Sequence, residues 1–246
     1  MTDIERLSKI LAKSQRAVFF GGAGMSTESG IPDFRSANGI YNQRLDKNLR
    51  PEEIVTHTFF MNCPADFFEF YRTRIVYLDA KPNAGHIALA KLEQRGNLAA
   101  IVTQNIDGLH QVAGSKIVWE LHGSVRRGFC INCGAPYDLN YIIENKPVPY
   151  CKECGGIVRP DVVLYEENLD DRILKASIEA ISKADTLIVG GTSLVVYPAA
   201  GLVDYFNGEY LIIINKTATR ADSEAELVIR ENIGETLSKA VELIER

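Results

Sequence analysis

Four cysteines carry the clearest chemical signal in the chain. Cys130, Cys133, Cys151 and Cys154 form two C-x2-C pairs separated by 17 residues, the spacing with which two tight turns present thiolates to one tetrahedral zinc ion. Four thiolates close the coordination sphere, so such an ion folds the segment around it and takes no direct part in a reaction. A redox C-x2-C and chance spacing are the competing readings. The fifth cysteine, Cys63 beside Pro64, reads as a packing residue. Zinc ribbons can also grip nucleic acid, but here Arg126, Arg127, Lys146, Lys152 and Arg159 are interleaved with Asp138, Glu144 and Glu153, which dilutes any basic face.

A second kind of chemistry begins at GGAGMSTESGIPDFR, Gly21 to Arg35, after the apolar run Ala17 to Phe20. Gly22 and Gly24 stand as the first glycines of a dinucleotide-binding turn, where a strand gives way to a phosphate-cradling helix. Thr27 occupies the place of the third glycine, and Pro32, Asp33, Phe34 and Arg35 suit a shaped loop better than a helix. Later apolar runs are also followed by polar clusters: TQNIDGLH, WELHG, GGTSL and NKT. Ligands of open parallel sheets gather beyond the carboxyl ends of the strands. That rule makes Gln104, Asn105, Asp107, His122, Thr192, Ser193 and Asn215 candidates for a single site. Turn chemistry, helix capping or a structural imidazole accounts for each residue alone; four clusters at four strand ends favour a shared role.

These residues need a scaffold, and the hydrophobic pattern supplies one. Thr2 and Glu5 have capping-box spacing, and Ile4, Leu7 and Leu11 mark one face of a helix ending near Ser14. Unalternated, β-branched runs at 17–20, 99–103, 117–119, 186–189, 211–214 and 227–229 predict strands buried on both faces of a mainly parallel sheet. Residues 50–77, helical and aromatic, and 124–160, rich in Cys, Gly, Asn and Pro, break this rhythm. The expected organisation is therefore a Rossmann-like nucleotide-binding domain from 1–49, 78–123 and 161–246, with 50–77 and 124–160 forming a small inserted domain. A net charge of −5 provides no global positive field for nucleic acid or anionic lipid. No apolar run approaches the ~20 residues of a bilayer span, and the start lacks a signal-peptide core. A cytoplasmic protein with no membrane and no direct nucleic-acid partner is expected.

Taken together, GAGMSTESGIPDFRS, TQNIDGLH, ELHG, the paired C-x2-C motifs, GGIVRPDVVLYEE, GTSLVVYPAA and IIINK resemble the sirtuins of bacterial type, the NAD-dependent protein lysine deacylases. The motifs stand in the family's order over nearly the whole chain. The resemblance implies a Rossmann-like parallel sheet with a small zinc-ribbon plus helical inserted domain, NAD as a co-substrate, one structural zinc ion, and acylated lysine side chains of proteins as partners. It also implies that Gly22, Ala23, Gly24 and Ser26 cradle the diphosphate with Thr27 along the same loop. Asp33, Phe34 and Arg35 then belong to a flexible cofactor loop in which Phe34 shields the reactive ribose carbon from water.

In the implied reaction the acyl oxygen attacks that carbon, nicotinamide leaves, and an alkylimidate forms. His122 acts as general base on a ribose hydroxyl, the activated 2′-oxygen attacks the imidate carbon, and water finally frees lysine and 2′-O-acyl-ADP-ribose. Asn105 orients the ribose, Ile106 and Asp107 hold the carboxamide, and Gln104 lies among the same cofactor contacts. Gly191, Thr192, Ser193, Asn215 and Lys216 serve the adenosine end. Val163 and Tyr165 wall the acyl-lysine tunnel, with the peptide added as a strand between Tyr165 and the Val195–Val196 segment.

Two positions depart from the family's pattern: Gly21 replaces a Thr, and Glu166 replaces a Gly. Glu166 is expected to place negative charge beside the peptide groove and favour basic substrates. Tyr71 and Arg74, three apart on a predicted helix and so on one face, match the Tyr-x-x-Arg pair with which one subclass reads succinyl or malonyl carboxylates. Deacetylation is the main expectation, with desuccinylation or demalonylation as a further activity. ADP-ribosyl transfer and a non-catalytic NAD-binding module are the rival readings, against which the Asn105, Asp107 and His122 set argues.

Overall fold

The computed structural model describes residues 1–34, 36, 39–42 and 49–245. It opens with α1 (Asp3–Lys13), where the Glu5 amide donates to the Thr2 hydroxyl and the Thr2 amide to the Glu5 carboxylate, completing the expected capping box. After β1 (Ala17–Gly21) come α2 (Pro51–Ile54), α3 (His57–Asn62) and α4 (Pro64–Phe70), which runs on into a π-helical turn, Tyr71–Ile75. Alternation then resumes with α5 (Ala84–Gln94), β2 (Leu98–Thr103), α6 (Leu109–Val112) and β3 (Val118–Glu120). An antiparallel excursion follows, made of β4 (Gly123–Cys130), β5 (Pro136–Asp138), α7 (Leu139–Glu144) and β6 (Val158–Val162). The chain closes with α8 (Asp171–Ser182), β7 (Thr186–Gly190), β8 (Tyr210–Ile214), β9 (Leu227–Ile229) and α9 (Ile233–Ile244).

Among the described residues six strands pair in the order β3-β2-β1-β7-β8-β9, every pair parallel. Both faces are covered, which is why the strands read as continuous apolar runs. Successive side chains of β1 point to opposite faces. Phe19 joins a core with Leu7 and Leu11 of α1, Leu89 of α5 and Leu237 of α9. Val18 and Phe20 join a second core with Ile181 of α8 and the 3-10 segment Ala199–Tyr205. A third core unites the α2–α4 helices with the antiparallel sheet β5-β4-β6: Phe60, Phe67 and Phe68 pack edge to face and meet Val125, Ile142 and Val158. No helix among the described residues is long and apolar enough to cross a membrane.

The strand order reverses at β1, so a crevice opens between the loops after β1 and β7. Those loops touch backbone to backbone: the Gly22 amide donates to the Gly190 carbonyl at 3.2 Å and the Gly24 amide to the Gly191 carbonyl at 2.8 Å. A Cβ on Gly24 would stand 2.7 Å from the Gly191 Cα, and one on Gly191, whose φ is +60°, 2.4 Å from the Met25 nitrogen. At Gly21 a Cβ would meet the Phe19 ring at 2.4 Å, which accounts for the glycine found there. Gly191→Ala combines overpacking against backbone with a left-handed φ, and should destabilise the fold by about 2–4 kcal/mol. A denaturant midpoint measured against the parent chain checks this.

Candidate active site

A cavity of about 1000 Å³ occupies the crevice, at the upper end of small-molecule sites. Its walls come from the loops after β1, β2, β7 and β8 and from the third core. The polar framework is built on Ser26, which is 1% exposed. Its hydroxyl donates to the Asp107 carboxylate at 2.7 Å and accepts from the Asn105 amide at 3.1 Å. Asp107 also accepts the Leu109 amide at 2.8 Å, and its carbonyl accepts from the Arg126 guanidinium at 3.0 Å. The turn after β2 is thereby fixed to the turn after β1. Gln104 makes a second tie, its amide donating to the Thr192 hydroxyl at 3.1 Å across the crevice.

The carbonyl of Gln104 decides the state of His122. It lies 2.9 Å from Nδ1 of the imidazole, and a carbonyl can only accept, so Nδ1 carries the proton and Nε2 holds the lone pair. Burial pushes the His122 pKa down, partly offset by this bond to Gln104. The ring is therefore a neutral base at neutral pH. Of the chain's four histidines, His122 alone lines the cavity. His86 and His110, their tilted rings 4.7 Å apart in the interior, are kept neutral by burial, His86 at about 4 and His110 well below its ordinary value.

Most of the residues singled out in the sequence converge on this cavity: Gly22, Ala23, Gly24, Ser26, Thr27, Asp33 and Phe34 from the first loop, with Gln104, Asn105, Ile106, Asp107 and His122. Gly191, Thr192, Ser193, Asn215 and Lys216 line it at the β7–β8 side, and Tyr71, Val163, Tyr165 and Val196 at the side of the third core. Arg35 lies outside the described residues. Val195 is exposed and does not line the cavity; the neighbouring Val196 does. Arg74 also lies outside the lining. The expected shared face fails because the Val76 amide bonds the Tyr71 carbonyl, an i→i+5 closure that winds Arg74 further from Tyr71 than an α-turn would. Tyr71 is consequently buried, its hydroxyl 3.3 Å from the Val125 carbonyl, while Arg74 is exposed.

Other contributors were not foreseen. Tyr41 lines the cavity, its hydroxyl 2.9 Å from that of Tyr165 and its ring 5.4 Å from Phe34. Asn83 caps α5 and also donates to the Met25 carbonyl at 2.8 Å and the Ser29 hydroxyl at 3.0 Å, and Glu28 accepts the Gly234 amide of α9 at 2.8 Å. These bonds brace the loop after β1 from behind. The cap itself is readable in PNAGH; its long-range partners are not.

The four cysteine sulfurs lie within 4.8 Å of one another and none lines the cavity. Cys130 and Cys154 are 3.4 Å apart, Cys133 and Cys151 3.6 Å, near the ~3.8 Å edge of a tetrahedron with Zn–S bonds of about 2.3 Å. The two turns are alike, Gly134 and Gly155 following their cysteines at φ +74° and +71°. Amides of Asn132 and Glu153 point at sulfur, and the Tyr137 hydroxyl donates to Cys151 at 3.2 Å, lowering that thiol to about 6. This donor set fits one structural zinc ion.

A Sir2 family model matches residues 22–198. A Clostridium perfringens protein named NAD-dependent protein deacetylase is 60% identical over 97% of this chain and 98% of its own. A protein of the same name from Clostridium acetobutylicum is 60% identical over the same shares. Among solved structures, one described as the structural basis for the mechanism and regulation of Sir2 enzymes is similar with a TM-score of 0.88 at 42% identity, covering 99% of this chain and 98% of that one. A Sir2 complex with a peptide and NAD+ gives 0.86 at 39% identity over the same shares.

Because outer-shell donors hold thiolate ligands in place, Tyr137→Phe should release zinc to a chromogenic chelator about tenfold faster than the parent chain. The readout is the rate of chelate absorbance, independent of any catalytic assay.

Proposed function

The chain belongs to the Sir2 family, and from that premise we propose that it removes acetyl groups from protein lysines with NAD+ as co-substrate, releasing nicotinamide and O-acetyl-ADP-ribose. The observation that carries this reading is the His122 imidazole, fixed by Gln104 with Nε2 unprotonated in a cavity ringed by four strand-end loops. NAD+ supplies an electrophilic ribose carbon once nicotinamide departs. His122 Nε2 then removes the proton of a ribose hydroxyl. Asn105, buried and tied to Ser26, orients the ribose. Ile106 and Asp107 hold the carboxamide end. Gly22, Ala23 and Gly24 line the diphosphate end of the cavity, Thr27 lies beside them, and Thr192, Ser193, Asn215 and Lys216 take the adenosine. Phe34, packed on Tyr41, excludes water from the reacting carbon. Val163, Tyr165 and Val196 receive the acyl-lysine.

Incubation with NAD+ and an acetyl-lysine peptide should yield deacetylated peptide, nicotinamide and O-acetyl-ADP-ribose in step, followed by mass spectrometry. Nicotinamide release with the peptide still acetylated would mean ADP-ribosyl transfer or hydrolysis; no nicotinamide at all would mean a binding module. Protonation of Nε2 removes the base, and the folded pKa is lowered. The acidic limb of kcat/KM should therefore fall below the ordinary histidine value of ~6.5, and activity should hold through neutral pH. His122→Ala should abolish this limb and reduce kcat by about 10²–10⁴-fold.

A carboxyl-terminated acyl group is a second reading. Tyr71 lines the cavity, and so does Tyr77, three residues beyond Arg74 in the chain. If Arg74 reads a succinyl or malonyl carboxylate, Arg74→Met should lower kcat/KM for a succinyl-lysine peptide about tenfold and leave the acetyl-lysine value in place. An unchanged ratio between the two peptides removes this reading.

A further inference from the structure

Two residues other than glycine hold left-handed backbone among the described residues, Glu166 at φ +75° and Leu194 at φ +53°. They stand on the two segments that flank the proposed acyl-lysine entry. Leu194 is buried, and its amide donates to the Thr192 hydroxyl at 3.2 Å, so packing and a local bond hold it. Glu166 is exposed, so burial does not hold it. A side chain in this conformation crowds its own carbonyl, and such strain persists only where the surroundings impose it. What imposes it here is the carboxylate: Oε2 accepts the Thr58 amide at 2.8 Å and the Thr58 hydroxyl at 2.7 Å.

The bonds around Glu166 run in the same direction. The Tyr165 amide donates to the Val55 carbonyl and the His57 amide to the Tyr165 carbonyl, both at 3.0 Å, a parallel bridge between the segment and the entry to α3. Glu167 lies 2.8 Å from His57 Nδ1, accepts the Arg159 guanidinium at 2.5 and 2.9 Å, and accepts the Leu164 amide. The edge that would meet a peptide is thus tied to α3 by consecutive residues. The Glu166 carboxyl is held below the usual carboxylate range by the Thr58 hydroxyl and amide, so the tie stays ionised at neutral pH. The charge expected beside the groove is therefore present, with one of its oxygens held by Thr58.

We propose that Glu166 is a positioning residue: its carboxylate latches the segment 163–167 to the start of α3 and so sets where the acyl-lysine peptide docks. The inference rests on the deacetylase reading, and it predicts opposite behaviour for two small replacements. Glu166→Ala loses the latch and keeps the left-handed penalty, whereas Glu166→Gly loses both.

Steady-state kinetics with an acetyl-lysine peptide test it. Glu166→Ala should raise the peptide KM about five- to tenfold with kcat and the NAD+ KM little moved, and Glu166→Gly should recover most of that loss. Thr58→Val, which keeps the amide donor, should move the peptide KM in the same direction by less. An unchanged KM in Glu166→Ala, or an equal rise in the Ala and Gly variants, overturns the proposal. So does a rise confined to peptides with Lys or Arg beside the acyl-lysine, because the carboxylate would then be reading peptide charge. Parent protein that turns over no acetyl peptide defeats the deacetylase reading instead. In that case amide exchange without substrate still decides the latch: faster exchange at Thr58 and Tyr165 in Glu166→Ala supports it, and unchanged exchange overturns it.

Discussion

Where the strand order turns back at β1, two loops meet with nothing between them but backbone, joined by the Gly24 amide on the Gly191 carbonyl and the Gly22 amide on the Gly190 carbonyl. The polar framework of the cleft is built around this contact. Because the loops approach so closely, Ser26 drops to the level where Asn105 and Asp107 reach it, and Gln104 spans the crevice to Thr192. The glycines are usually read as making room for a phosphate, and in this molecule they make room for each other first. Their Cβ atoms would collide with opposing backbone before any ligand arrived. The Gly22 and Gly24 amides are themselves engaged by the opposing carbonyls, so the bare turn serves backbone packing directly.

Burial gives the polar framework its stiffness. A buried polar atom without a partner is expensive, so Ser26, Asn105 and Thr192 hold their geometry as a set. The same burial tunes His122. Desolvation disfavours the imidazolium, the Gln104 carbonyl favours a proton at Nδ1, and together they leave one lone pair in the cavity at neutral pH. His86 and His110 show what burial does without such a carbonyl facing a ligand cavity: both are neutral, and neither lines the cleft. Chemistry is assigned to the histidine by where its second nitrogen faces, since all three of these rings are uncharged.

The sheet was legible because its physics is local to each strand: runs buried on both faces cannot alternate, and all six predicted runs became strands of one parallel sheet. The cysteine quartet was equally plain, since four ligands of one ion leave a fixed spacing. The strand-end polar residues could be named because topology alone brings them together. What the sequence hid depends on long-range or atypical backbone. The π-turn that separates Arg74 from Tyr71 has no sequence signal in the i, i+3 rule, which presumes an α-helix. The commitment of the Glu166 carboxylate to Thr58 joins residues more than a hundred positions apart, and so does the Tyr41–Tyr165 contact.

The third core explains how a metal outside the cavity bears on it. Phe67, Phe70, Tyr71 and Val125 belong to that core and also line the cleft. The same core contains Cys130 and Cys151, and β4 runs from Gly123, next to His122, to Cys130. A short antiparallel sheet of three strands and a few helices buries little apolar surface by itself, and in such modules the free energy of metal binding is folding free energy. The zinc ion therefore acts at a distance through ordinary packing: it ties the end of β4 to the turn that leads into β6, these strands pack on the aromatic helices, and those helices form one wall of the cavity. Chemically the ion is a bystander, since none of its ligands lines the cavity, and mechanically it supports the wall that the third core contributes.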